Sequence, residues 1–224
     1  MNCWICGNPA DSGEHIIKAS DLKSEMGAIS QKFPIYLQST EETNVRVNSL
    51  RKSKELKFDQ SICSNCNNAR TSCSDKAWQT LSSYLRNNID FKGECRVKIG
   101  NIFKGNANSQ MKNVQLYFAK IFGCAVVSES VPVSLENIQS AILVNDPCEN
   151  LYIPFGISPF TLFSAGVSDI SLSERRGAQL AIWHYYVGKL MVRINFIDPA
   201  SRKLLPRKAW HPTDKGKFIR VCKL

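Results

Sequence analysis

Apolar positions recur with a helical period in the middle of the chain and with strand-like runs in its last third. Ala77, Trp78, Leu81, Tyr84 and Leu85 fall at i, i+1, i+4, i+7 and i+8, on one side of a helix, which predicts a helix running to about Asn88, with Asp75 as its cap. Val114, Phe118, Ile121 and Phe122 predict a second helix from Met111, and a short third one is expected over 135–143. Beyond it, short apolar runs at 151–155 and 160–164 lie between Pro and Gly residues and read as strands. The runs 181–187 and 190–197 flank Gly188-Lys189, a pair suited to a type II′ hairpin, and the tail after Trp210 reads as a last strand.

The first ninety residues are patterned differently. Cys3-Trp4-Ile5-Cys6-Gly7 reads as a tight knuckle, followed by a turn region and a short strand at Glu14-His15-Ile16-Ile17. No period persists between Lys23 and Val45, as expected of an insertion with one anchor near Phe33. The polar stretch 91–110 contains one strand-like alternation at Cys95, Val97 and Ile99 and is the expected linker. The organisation predicted is a zinc-stabilised unit over 1–90, this linker, and an α+β unit over 111–224 that could help bind substrate.

Composition is that of a globular protein: 224 residues, 43% hydrophobic and 21% charged. Charge is what sets the chain apart. Twenty-nine basic residues against 19 acidic give +10, which suits a phosphate-rich partner far better than an acid-rich one. The excess is local, at +6 over 1–120, −3 over 121–201 and +7 over 202–224. Arg51, Lys52, Lys54 and Lys57 lie in a basic run just before the second cysteine pair, and Arg207 and Lys208 in a basic tail. All six are candidate contacts for a nucleic-acid backbone, or else solvated charges. No apolar run spans a bilayer and no secretory pattern opens the sequence, so a cytoplasmic protein with no membrane partner is expected.

Nine cysteines, an odd number, argue against a disulfide framework. Four of them, Cys3, Cys6, Cys63 and Cys66, form two C-x-x-C pairs separated by 56 residues. Two such knuckles complete the tetrahedral sulfur shell of a structural Zn²⁺. The same ion would bring the segment after the first knuckle, with Glu14 and His15, beside the segment after the second, with Asn67, Asn68 and Arg70.

The order C-x-x-C, Glu14-His15-Ile16-Ile17, then C-x-x-C-Asn67-Asn68 resembles the zinc-knuckle branch of the HNH endonucleases, the ββα-metal nucleases, over about residues 1–90. The resemblance implies a β-hairpin whose first strand ends in Glu14-His15, followed by a helix. His15 would be the general base, while Glu14 and Asn67 would hold a single catalytic Mg²⁺ or Mn²⁺. Arg70, followed by Thr71, would stabilise phosphate oxygens. Three positions depart from the family pattern. Lys18 stands where a Pro is usual, Asp21-Leu22-Lys23 where a Gly pair is common, and no Asn occurs over 58–62, so Asp59 or Gln60 is the candidate to orient the imidazole.

The chemistry is coherent without the family. Neutral imidazole can take a proton from water at physiological pH, and a hard cation on oxygen ligands can stabilise a departing 3′ oxygen. The expectation is a metal-dependent endonuclease acting on DNA rather than RNA, acting alone, as a homodimer or with a partner subunit, in a role such as restriction or phage defence. The alternatives are a non-catalytic zinc module that binds nucleic acid and a zinc-stapled protein-interaction domain. His184 and His211, each beside aromatic residues, read as packing histidines.

Overall fold

The computed structural model describes residues 1–38, 44–89, 95–173, 177–204, 209–214 and 217–223. Five helices are present among them: α1 (Ala19–Met26), α2 (Ser72–Asn88), α3 (Ile99–Ile102), α4 (Ala107–Ser128) and α5 (Glu136–Val144). Strands β1 (Ile35–Leu37) and β2 (Val45–Val47) form a small antiparallel pair. The remaining strands are β3 (Cys95–Lys98), β4 (Leu151–Tyr152), β5 (Phe155–Ser173), β6 (Gly177–Ile197) and β7 (Phe218–Lys223), in the sheet order β3-β7-β5-β6-β4. Every pairing in that sheet is antiparallel except β5 with β7. The fold is mixed α+β.

Helix α2 forms where its apolar stripe predicts it. Ala77, Trp78, Leu81 and Leu85 are buried on one side, and the helix ends as Ile89 returns to an extended backbone. Its start differs from expectation: Thr71 holds the N-cap position, and Asp75 lies within the first turn, where its carboxylate meets two lysines instead of backbone amides. In α4 nearly every residue from Met111 to Val126 is buried, so this helix runs through the middle of the molecule. Trp78 of α2 stacks on Tyr117 and meets Phe118 edge-on, and both Trp78 and Phe118 pack at right angles on Tyr185 of β6.

These contacts join the two halves. Buried apolar side chains form one contiguous cluster from Cys3 to Val221. Where a linker was expected over 91–110, the described residues carry β3, α3 and the start of α4; β3 pairs with β7 in the sheet, and Ile99 and Phe103 are buried. The polar composition of the stretch hid the alternation's meaning, because β3 acquires its partner more than a hundred residues downstream.

The hairpin expected at Gly188-Lys189 is not formed. Strand β6 runs straight through, and the connection between β5 and β6 falls at 174–176, outside the described residues. Gly188 does have a positive φ of 63°, but it lies opposite Leu162, where the register slips. A Cβ there would lie 2.4 Å from a Glu25 carboxylate oxygen. Glycine at 188 thus serves an irregularity in a long strand, where its positive φ disfavours any side chain.

Glycine at position 123 of α4 has a similar cause. The Trp4 ring of the first knuckle lies where a Cβ would be, 2.2 Å from its ideal position. Gly123→Ala should gain up to about 1 kcal/mol of helix propensity and lose more to overpacking, roughly 1–3 kcal/mol. Thermal unfolding should show a lowered Tm; an unchanged or raised Tm would mean the knuckle is not seated on α4.

Candidate functional site

Cys3, Cys6, Cys63 and Cys66 converge, with all four sulfurs within 4.8 Å of one another and Cys6 Sγ 3.6 Å from Cys63 Sγ. A tetrahedral Zn–S shell at about 2.3 Å sets sulfurs roughly 3.8 Å apart, so the cluster can hold a metal such as zinc. The Cys66 amide donates to Cys63 Sγ at 3.4 Å and, despite opposing desolvation, holds that thiol down at about 7. Around the cluster, Asp11 clasps the second knuckle through the Ser64 amide at 2.6 Å and its hydroxyl at 3.2 Å.

From the knuckles, two extended segments run side by side. Ser12 bridges to Ile62 and His15 to Lys57, with the Phe58 amide donating to Glu14 O and the Ile16 amide to Leu56 O, both at 2.9 Å. A Cβ at Gly13 would lie 2.5 Å from Phe58 O, so only glycine permits this approach. Cys66–Arg70 then makes a π-helical turn leading into α2, with the Thr71 hydroxyl donating to the carbonyls of Cys66 and Asn67. The result is two extended segments joined by isolated bridges and followed by a helix; the strand expected over 14–17 is not formed.

Between them opens a cleft of about 930 Å³ to which Glu14, His15, Asn67 and Asn68 all contribute. Lys18, Lys23, Arg51, Lys57 and Lys76 also line it, against the carboxylates of Glu14 and Asp75, so its walls are net positive. His15 is half-buried, and its Nε2 lies 3.1 Å from Leu50 O. Donation to that carbonyl puts the ring proton on Nε2 and leaves a lone pair on Nδ1. Burial pushes the imidazole pKa below 6.5, with Glu14 only partly opposing.

Behind the cleft lies a group that sequence reasoning missed. Lys120 of α4 has no exposed side-chain surface, and its ammonium is 2.7 Å from Glu14 Oε2, 3.1 Å from Asp75 Oδ2 and 3.5 Å from Asn67 Oδ1. Burial opposes its charge, but Glu14 and Asp75 outweigh this and raise its pKa above the ordinary lysine value. Asp75 also pairs with Lys18 at 2.9 Å, so two carboxylates already balance two ammoniums. Asn67 donates from Nδ2 to Ser12 Oγ at 2.8 Å, which turns its Oδ1 toward Lys120. The oxygens that the resemblance assigns to Mg²⁺ or Mn²⁺ therefore converge on an ammonium. A divalent ion about 4 Å from that ammonium would meet roughly 8 kcal/mol of repulsion at an effective dielectric constant of 20. In this arrangement the donor set does not fit the ion.

The other sequence-predicted residues divide. Arg51 and Lys57 reach the cleft, whereas Lys52 and Lys54 are exposed and are not among its lining residues. Arg70 is exposed and also outside the lining, since the wide π-turn presents Asn67 and Asn68 inward and carries it past. Leu50 O holds the imidazole, in place of Asp59 or Gln60, which are exposed. Arg207 and Lys208 lie outside the described residues. His211 is buried between Cys148 O and Thr213 Oγ1, and His184 lies 3.1 Å from Ser164 Oγ and packs on Tyr186. The signal for Lys120 was present in the sequence as a lone cation within an otherwise apolar helical run.

No family model, curated protein or solved structure matches this chain. Among the described residues, no helix is long and apolar enough to cross a membrane.

Metal analysis of the purified protein should give about one Zn²⁺ per chain, lost together with cooperative unfolding in Cys63→Ser; a metal-free, cooperatively folded wild type would exclude the structural role. The C2 proton of His15 should titrate below 6.5 by NMR. Because that pKa is depressed in the folded state, the neutral ring's stabilisation is complete above about pH 6.5 and is lost as pH falls through the folded value. A midpoint above 6.5 would mean the ring is not desolvated.

Proposed function

We propose that this protein is a nuclease of the zinc-knuckle HNH kind that hydrolyses phosphodiester bonds of DNA, with Zn²⁺ on the four cysteines and His15 as general base. One observation carries the reading: a half-buried imidazole, with Nε2 committed to a backbone carbonyl, stands in a cationic cleft to which Asn67 also contributes, just beyond the paired knuckles. The two bridged extended segments and the following helix support it further. Nδ1 of His15 takes a proton from water as the water oxygen bonds to phosphorus and the P–O3′ bond breaks, the departing 3′ oxygen takes a proton from solvent, and the nearby Arg51 and Lys57 draw the phosphate oxygens into the cleft. By the resemblance, the products carry a 5′ phosphate and a 3′ hydroxyl. No step is routed through a divalent ion.

The commitment of Glu14 to Lys120 favours a second reading, a non-catalytic zinc module that binds nucleic acid through the same cations. Supercoiled plasmid separates the two. Nicking should fall by about 10²- to 10⁴-fold in His15→Ala, with DNA binding retained. Intact plasmid with wild type, in Mg²⁺, Mn²⁺ or EDTA, together with a salt-sensitive gel shift, would replace the nuclease with the binding module. For either, Lys57→Ala should lower the slope of log K against log salt by about 1.

A further inference from the structure

Besides the buried Lys120 behind the cleft, the molecule carries the two-stranded end of β5 and β6 with its exposed Ile170 and Leu172, and a cluster around Asp21. Asp21 accepts from Trp78, Ser82 and Tyr185, forms an ion pair with Arg86 and is fully buried, which makes it a structural knot. Nothing identifies what would cover the β5–β6 ribbon.

We propose that the Lys120 ammonium is the resident cation of this site, fixed where Glu14, Asp75 and Asn67 converge, and that it excludes a divalent ion from those oxygens. Three observations support this. The ammonium touches both carboxylates and faces the amide oxygen, the same donors a hard cation would use. It is delivered by a helix whose neighbouring positions are all buried, so it cannot swing aside without moving α4. The Asn67 amide is locked by Ser12 with its oxygen toward Lys120. Lys120 is fully buried and is not among the residues lining the cleft, so it acts as a positioning residue: it aligns Glu14 and Asn67 and takes the charge that an ion would otherwise supply. The consequence, that hydrolysis at His15 needs no divalent ion, rests on the nuclease reading. The exclusion itself does not.

The test uses the full chain loaded with zinc and no nucleic acid, so it is independent of whether the protein is a nuclease. Mn²⁺ is titrated by electron paramagnetic resonance, with Tm followed in parallel, for wild type, Glu14→Gln, Lys120→Met and the Lys120→Met/Glu14→Gln double variant. Wild type and Glu14→Gln should bind no Mn²⁺ at millimolar concentration and show no Tm shift. Lys120→Met should have a lowered Tm, gain a single Mn²⁺ and recover part of its Tm with it, and the double variant should lose that gain. Mn²⁺ bound by wild type and lost in Glu14→Gln overturns the proposal, and this comparison decides alone if Lys120→Met does not fold. A folded Lys120→Met that binds no Mn²⁺ overturns it too, since removing the ammonium would then have opened no cation site.

Discussion

A single buried ammonium ties this molecule together. Lys120 comes from the central helix, and Glu14, Asn67 and Asp75 come from three separate places in the first ninety residues. Charge placed this deeply is stable only when paired and hydrogen-bonded, so each partner fixes the position of the others. The extended segment bearing Glu14 cannot shift along its neighbour, and α2 cannot turn about its axis, without leaving Lys120 uncompensated. The cysteine cluster joins the same segments from the other end, and the cleft opens between these two constraints.

Local pattern was legible and long-range partnership was not. The stripe from Ala77 to Leu85 specified α2 because a helix reads its own neighbours, and the paired C-x-x-C spacing specified a four-sulfur cluster because tetrahedral sulfur coordination requires four such groups. By contrast, Leu50 offers only a backbone carbonyl to His15, so no side chain announced it. Gly188 carries the positive φ of a turn, yet its neighbours in the sheet turn it into an irregularity of one long strand. Arg70, assigned to phosphate by the resemblance alone, follows a π-turn and is not among the residues lining the cleft. Asp75 was read as a cap because its long-range partners, Lys18 and Lys120, are invisible to a local rule.

The same constraint shapes the chemistry. His15 needs a fixed proton acceptor and a dry flank, which the Leu50 carbonyl and partial burial supply. Arg51 and Lys57 line the cleft, where they can meet phosphate, while Lys120 behind it is committed to carboxylates. Attraction of a polyanion and organisation of the base are therefore assigned to different lysines. Removing one set should not mimic removing the other.

The most direct measurement is a double-mutant cycle between Glu14→Gln and Lys120→Met, followed by urea unfolding with the zinc retained. Contacting partners in one charged network are expected to be coupled by about 1–3 kcal/mol, so that the double variant is more stable than the sum of the single effects implies. Additivity within about 0.5 kcal/mol would mean that the two side chains do not share a bond in solution, and the ammonium would lose its place at the centre of the site.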